Sequence, residues 1–376
     1  MFFSRRRAGK HERERGHVTR FASPRSVIVG TGFMGEVHQR AVRRAGGRVV
    51  GVVGHTEEGA QRAAQAWQVE LASTSLAAVL ESSRPDLVHI CTPNALHTEQ
   101  VGFALEAGAH VICEKPLGVN SAETAAMLKA AQARGVVHAV PFAYRFYGAV
   151  RELRARVRDG AAGRVSLLHG CYLQDWLADR NATNWRAVPD VGGPSRTFAD
   201  IGIHWCDLAE FVTGDRISEL VATAATVHDR GVAQPTEDLV ALVFRTAGGA
   251  TGSLRVSQVS WGRKNRLELF VDTEQTSYGF EQERPDRLWM GTAEGSVGLE
   301  RGAGFTSPDA RRLDRVPAGH PQGYQDCFDA LVADVYRAIA GEPPDGLPTF
   351  ADGHRAAVIT EAVFASVASG SWAPVG

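Results

Sequence analysis

Three groups of residues in this 376-residue chain have the types and spacing to do chemistry together. Glu114-Lys115-Pro116 closes an apolar, strand-like run. Gly30-Thr31-Gly32-Phe33-Met34-Gly35 stands upstream of it, and Asp200-Ile201-Gly202-Ile203-His204-Trp205-Cys206-Asp207 downstream. A histidine, with an ordinary pKa near ~6.5, suits removal of a hydroxyl proton at neutral pH. A lysine beside it would hydrogen-bond the reacting oxygen and stabilise alkoxide charge as it develops. An aspartate would bind a neighbouring hydroxyl or orient the base. Around a nicotinamide, that equipment moves a hydride on and off a carbon bearing a hydroxyl. Asp200, His204 and Asp207 stand at i, i+4 and i+7, which predicts one face of a helix. A solvated polar face is the ordinary reading of such a stripe. The hinge-like Gly192-Gly193-Pro194 ahead of it, and the histidine itself, argue for a site.

The elements that must position these residues alternate from residue 26 onward. Strand-like runs at 26–30, 48–54, 86–91, 109–113 and 136–142 are separated by helical patterns at 36–45, 59–67, 98–107 and 122–134. That βαβ alternation predicts a doubly wound parallel sheet, a Rossmann domain, over residues 23–144. Beyond Tyr144 the pattern changes. A helix at 150–158 leads to a strand at 164–172, a Trp-rich loop and the Asp200 helix. Strand-like runs then follow at 220–228, 238–245, 251–260, 266–272, 276–282 and 287–291, with a hairpin marker at Ala247-Gly248-Gly249. Helices at 324–339 and 352–369 close the chain. Residues 145–376 are therefore expected to form a substrate-binding and oligomerisation domain on a largely antiparallel open sheet flanked by helices.

Gly30, Gly32, Phe33, Met34 and Gly35 make a GxGxxG turn where a strand passes into a helix, the context in which free N–H groups take a pyrophosphate. The second strand ends at Gly54-His55-Thr56 without the acidic residue that usually holds the ribose 2′-hydroxyl of NAD. Glu57 and Glu58 come late and Arg62 is nearby, so the sequence leaves NAD and NADP both open. Thr92-Pro93-Asn94 and Glu114-Lys115-Pro116 follow the strand-like runs at 86–91 and 109–113, at the rim where ligands bind in such sheets. His55, Thr56, Thr92, Pro93, Asn94, His97, Glu114 and Lys115 are the further cofactor-site candidates. Asn94 and His97 also suit a plain role in starting the next helix.

A net charge of −1 makes no electrostatic case for nucleic acid or an anionic membrane. The five cysteines are scattered with no CxxC, which suggests free buried thiols, and no cluster of metal ligands is evident. No apolar run reaches the ~18 residues of a membrane helix. Residues 1–22 are rich in arginine and lack an apolar signal region. They read as a disordered basic tail or an over-long gene start. The expected location is the cytoplasm.

The glycine turn, Thr92-Pro93-Asn94, Glu114-Lys115-Pro116 and Asp200-x-Gly-x-His204-x-x-Asp207 resemble, in order and spacing, the Gfo/Idh/MocA oxidoreductases from about residue 23 to the C-terminus. The resemblance implies an NAD(P)-dependent dehydrogenase of a sugar, glycoside or cyclic polyol, with Lys115, Asp200 and His204 as catalytic residues. It also implies a homodimer or homotetramer formed through the second-domain sheet. Tyr172-Leu173-Gln174-Asp175-Trp176, Asn184-Trp185-Arg186 and Phe142-Ala143-Tyr144-Arg145 resemble the levoglucosan, pyranoside and inositol dehydrogenase branch. That likeness implies substrate contacts from Lys115, Tyr144, Gln174, Trp176, Trp185, Arg186, Asp200 and His204. Aromatic faces with amide and carboxylate partners suit a ring that has apolar C–H faces and a rim of hydroxyls. For Trp176 and Trp185, a place in the second-domain core is the plainer alternative. His320 and Tyr324 would close the pocket. Other readings compatible with this fold are a redox-neutral NAD-dependent glycosidase or lyase and a non-enzymatic cofactor sensor.

Overall fold

Val- and Ile-rich runs buried on both faces form the first sheet of the computed structural model, which describes residues 23–182, 184–231, 235–342 and 344–376. The tail expected at residues 1–22 lies outside the described residues. The strands are β1 (Arg25–Val29), β2 (Arg48–Val53), β3 (Ala72–Ser73), β4 (Leu87–Ile90), β5 (His110–Cys113) and β6 (His138–Ala139). They lie in the order β3-β2-β1-β4-β5-β6 with every pairing parallel. Val27, Ile28, Leu87, Val88, Ile90, Val111 and Ile112 are wholly buried, as strands covered by helices on both sides require. The crossovers are α1 (Phe33–Arg44), α2 (Glu57–Trp67), α3 (Leu76–Ser83), α4 (His97–Glu106) and α5 (Ser121–Arg134). Strand order reverses between β1 and β4, so a crevice opens beyond their carboxyl ends.

Most boundaries follow the sequence reading within a few residues. The run at 136–142 shrinks to the two residues of β6, because Pro141 has no N–H for the ladder and a 3₁₀ turn begins at Ala143. Helix α3 and strand β3 were not anticipated. α3 is only eight residues long, begins on the Ser75 cap and stops at Arg84 in the left-handed region, too short a pattern for its period to show.

After α6 (Gly148–Arg158) the chain builds a second sheet from β7 (Val165–Leu173), β8 (Ile217–Ala225), β9 (Leu239–Thr246), β10 (Thr251–Ser257), β11 (Arg266–Thr273), β12 (Ser277–Glu281), β13 (Arg287–Thr292), β14 (Gly295–Glu300) and β15 (Ala373–Pro374). Its order is β14-β13-β12-β11-β7-β10-β9-β8-β15, antiparallel throughout except for the parallel neighbours β7 and β10. Alternate residues point inward: Val240, Leu242 and Phe244 are buried, whereas Val243 between them is 41% exposed.

Helices α7 (Pro189–Gly192) and α8 (Ile203–Thr213) lie between β7 and β8, α9 (Pro308–Arg311) follows β14, and α10 (Tyr324–Ile339) and α11 (Phe350–Ser369) come last. α8 packs on the inner sheet face through Trp205, which is wholly buried, meets Phe244 edge-on at 5.9 Å and donates from Nε1 to Glu268 O at 2.7 Å. Gly170 makes room for it, since a Cβ there would lie 2.6 Å from that Nε1. Losing such an indole costs about 3–5 kcal/mol. α10 packs on α1 and α11 on α5, so the chain's last helices tie the second sheet back to the first.

Candidate active site

The crevice beyond β1 fits a dinucleotide. Gly32 caps α1 without a side-chain bond, leaving the first-turn N–H groups free for an anion. Gly30 has φ +107°, and a Cβ there would lie 2.5 Å from Cys91 O; a Cβ at Gly35 would lie 2.1 Å from Gly30 O. These two glycines let β1, α1 and the end of β4 close up. At Gly32 a Cβ would meet nothing within 4 Å, which leaves the open approach a pyrophosphate needs.

Next to it is a cleft of about 580 Å³ lined on the first-sheet side by Gly32, Phe33, Met34, Thr92, Glu114 and Lys115. Facing them are Asp200 and His204, brought in by a π-helical turn (Phe198–Gly202) that runs into α8. Lys115 Nζ donates to Asp200 Oδ1 at 2.7 Å and to Asp200 O at 2.9 Å. Gln258 Nε2 holds the other carboxylate oxygen at 2.8 Å, and Arg186 Nε lies 3.4 Å from Oδ1. Burial pushes the Asp200 carboxyl up, but Lys115 and Arg186 outweigh it and hold its pKa well below the usual range. His204 is 7% exposed, and its ring is held edge-on by Tyr144 at 4.9 Å and Phe142 at 5.7 Å. Burial, and then the Lys115 charge, keep its pKa well below the ordinary value, so it is neutral at pH 7. Its Nδ1 is buried and finds no partner among the described residues.

Asp207 does not share that cleft. It lies three residues past His204 on α8, lines a separate pocket and pairs with Arg145, whose Nε donates to it at 2.8 Å.

The far wall is a polar net with aromatic faces. Tyr172 OH donates to Asn265 Oδ1 at 2.7 Å and also contacts Tyr144 OH. Gln174 Nε2 donates to the same Asn265 oxygen at 2.8 Å, and Trp176 Nε1 donates to Gln174 Oε1 at 2.9 Å. The indole edge is thereby pinned. Trp176 and Trp185 are half-buried and line the cleft rather than the core. The Arg186 guanidinium stacks 4.4 Å over Trp185. Tyr324 lines the cleft and stacks on the exposed Phe33 with 6.5 Å between rings, whereas His320 is exposed and lies elsewhere.

The remaining candidates sit around the cleft. Asn94 lines it and donates from Nδ2 to Gly192 O at 2.8 Å, tethering the glycine hinge before the Asp200 turn. His97 is wholly buried between two turns, its ring nitrogens 2.9 Å from Pro116 O and 2.9 Å from Thr92 O. It braces the turns without lining the cleft. Pro93 precedes the 3₁₀ turn at Asn94. Thr56 caps α2, accepting from Gly59 N at 3.1 Å, and His55 is exposed beside it. Position 54 has no room for an acidic side chain, because a Cβ on Gly54 would lie 2.8 Å from Ala60 N.

Gln258 and Asn265 were not found from sequence, and nothing in the chain marks them. Tyr172 carried a usable signal: it shares a strand face with Gln174 by the period of two. The parallel pairing of β7 with β10 sets Leu173 opposite Ser257, so Gln174 and Gln258 leave the sheet at the same edge.

Comparison with known proteins finds relatives for both domains. Residues 25–142 match the GFO/IDH/MocA oxidoreductase family with an NAD-binding Rossmann fold, and residues 150–275 match the GFO/IDH/MocA C-terminal domain. The levoglucosan dehydrogenase of Pseudarthrobacter phenanthrenivorans is 30% identical, with 93% of this chain and 97% of that protein aligned. The solved structure of levoglucosan dehydrogenase with NADH and levoglucosan superposes with a TM-score of 0.88 at 30% identity, covering 94% of this chain and 100% of that one. An inositol dehydrogenase homologue from Azotobacter vinelandii in complex with NAD⁺ gives a TM-score of 0.86 at 26% identity, covering 94% and 98%.

Proposed function

The chain belongs to the Gfo/Idh/MocA family of NAD(P)-dependent oxidoreductases, and we propose that it oxidises a secondary hydroxyl of a sugar, glycoside or cyclic polyol, or reduces the corresponding ketone. One observation carries this reading: Lys115, Asp200 and a buried His204, whose Nδ1 has no partner among the described residues, line the same cleft as the Gly32–Met34 turn. The substrates in the names of the two similar dehydrogenases support a polyhydroxylated ring.

Gly32, Phe33, Met34, Thr92 and Asn94 would hold the cofactor, which when bound supplies the hydride acceptor. The rest falls to the side chains. His204, neutral at pH 7, would take the hydroxyl proton. Lys115, fixed by Asp200, donates to the oxygen as charge builds on it. Asp200, itself fixed by Gln258, accepts from a neighbouring hydroxyl. Trp176 covers an apolar ring face, while Tyr144, Gln174 and Arg186 meet ring hydroxyls, with Trp185 behind the guanidinium. In reduction, His204 returns the proton to the same oxygen.

Cofactor binding is assigned to residues 23–144, and substrate binding and self-association to 145–376. The setting proposed is the cytoplasm, where the free thiols would stay reduced. No helix among the described residues is long and apolar enough to cross a membrane. The test is absorbance at the reduced-cofactor band with pyranosides, free sugars and inositols, each with NAD⁺ and with NADP⁺. Reduction by several ring substrates supports the reading. No reduction with any of them, or better rates with short linear alcohols, counts against it.

A further inference from the structure

A buried chain of ionisable groups runs beneath the cleft and takes no part in the mechanism above. His38, on α1 three residues past Gly35, is wholly buried. Its Nε2 lies 2.9 Å from Glu114 Oε1, and its Nδ1 lies 2.9 Å from Nδ1 of His89 on β4. His89 is also wholly buried, and its Nε2 finds no partner among the described residues. Glu114 lines the cleft at 5% exposure, and its Oε2 accepts from Lys115 N at 3.2 Å. Phe328 of α10 closes over the His38 ring at 5.2 Å.

These contacts allow one consistent arrangement of protons. A neutral imidazole has one donor and one acceptor. The Glu114 carboxylate needs the His38 Nε2–H, so His38 Nδ1 must accept, and His89 Nδ1–H must donate to it. The bare lone pair then falls on His89 Nε2, the atom that has no partner. Burial, and then His38, lower the His89 pKa well below its ordinary value, in keeping with a neutral ring there. The alternative, a cationic His38, would leave His89 Nε2–H as a buried donor with nothing to bond.

We propose that His89 and His38 form a hydrogen-bond relay of fixed direction that ends on the Glu114 carboxylate, so that it positions the Lys115 turn and favours the oxidised cofactor, whose ring is cationic, over the reduced one. The proposal rests on the dehydrogenase reading. His38 and His89 are positioning residues, since each acts through Glu114. If the His89 donor is removed, the His38 Nδ1 lone pair loses its partner, and the bond from Nε2–H to Glu114 loses the polarisation that strengthens it.

The test uses the full chain with H89N, H89Q, H38N, H38Q and E114Q. Dissociation constants for oxidised and reduced cofactor are measured by fluorescence without substrate, alongside turnover and melting temperature. Asn carries its amide nitrogen at the δ position and Gln at the ε position. H89N should therefore stay within about 3-fold of wild type. H89Q should lose about 10-fold in the preference for oxidised cofactor and in turnover, the upper end of what an ordinary hydrogen bond contributes. At position 38 the order reverses: H38Q keeps the donor to Glu114 and H38N loses it. E114Q should lose the same preference while keeping its shape. Equal behaviour of Asn and Gln at both positions, or an unchanged preference in E114Q, would overturn the relay. If the histidine variants do not fold, E114Q alone decides. A wild-type chain that binds neither form of cofactor would instead refute the dehydrogenase reading.

Discussion

Lys115 Nζ donates to Asp200 twice, to Oδ1 at 2.7 Å and to the main-chain oxygen at 2.9 Å. Lys115 stands at the end of β5 in the first sheet, and Asp200 stands in the π turn ahead of α8 on the second. One ion pair therefore joins the two halves of the cleft. It also sets the charge around His204, because the same lysine that balances Asp200 depresses the imidazole pKa.

His204→Ala should lower turnover by about 10²–10⁴-fold, the usual worth of general acid–base catalysis. Cofactor affinity should stay near wild type, because His204 contributes nothing to the glycine turn. Steady-state kinetics with a fluorescence titration of cofactor separates the two effects. Wild-type turnover would remove His204 from the mechanism.

The pH dependence follows from the direction of the His204 shift. A base must be neutral to act, so kcat/KM should stay level as pH falls through ~6.5, the ordinary imidazole value, and decline only on the acid side of it. Lys115→Met removes a positive charge that holds this pKa down. Its residual activity should therefore start to decline at a higher pH than wild type. An acid limb that is unmoved, or moves downward, would separate His204 from the titration.

Trp176→Ala should raise KM for ring substrates about 10-fold or more while leaving cofactor affinity unchanged. Asn265→Ala removes the shared acceptor for Tyr172 and Gln174. At about 1–3 kcal/mol per unpaired buried group, it should weaken use of ring substrates by roughly 10- to 100-fold. Equal losses on a short linear alcohol would mean that the net serves folding rather than recognition.

The outward face of the second sheet exposes Leu167, Val243 and Trp289, with His169 stacked on Phe270 at 4.9 Å. An apolar sheet face of this kind is expected to pair with a second copy as a dimer or tetramer. Light scattering on the purified chain checks this. Trp289→Lys should shift the population toward monomer, and a monomeric wild type at micromolar concentration would exclude this assembly.

The sequence by itself determined the local chemistry and the first domain. Glycines at 30, 32 and 35 specify a strand-to-helix turn wherever they occur in that context. Apolar runs of four to six residues between amphipathic helices leave little choice but a parallel sheet, because each such strand must be covered on both faces. Glu114-Lys115-Pro116 and the Asp200–His204 pair were legible because their spacing is local. What depended on long-range pairing was not. Which strands lie side by side in the second sheet is settled by long-range pairing: the parallel register of β7 on β10 brings Gln258 to the end of the sheet where Gln174 leaves it, and the antiparallel register of β11 on β7, with Arg266 opposite Leu173, brings Asn265 to Gln174. Asp207 left the cleft for Arg145, a partner 62 residues away that no helical period can show. The three buried links His89, His38 and Glu114 lie 51 and 76 residues apart in the chain from one to the next. Such distances carry no periodic signal, and only the folded sheet decides that one proton order joins them.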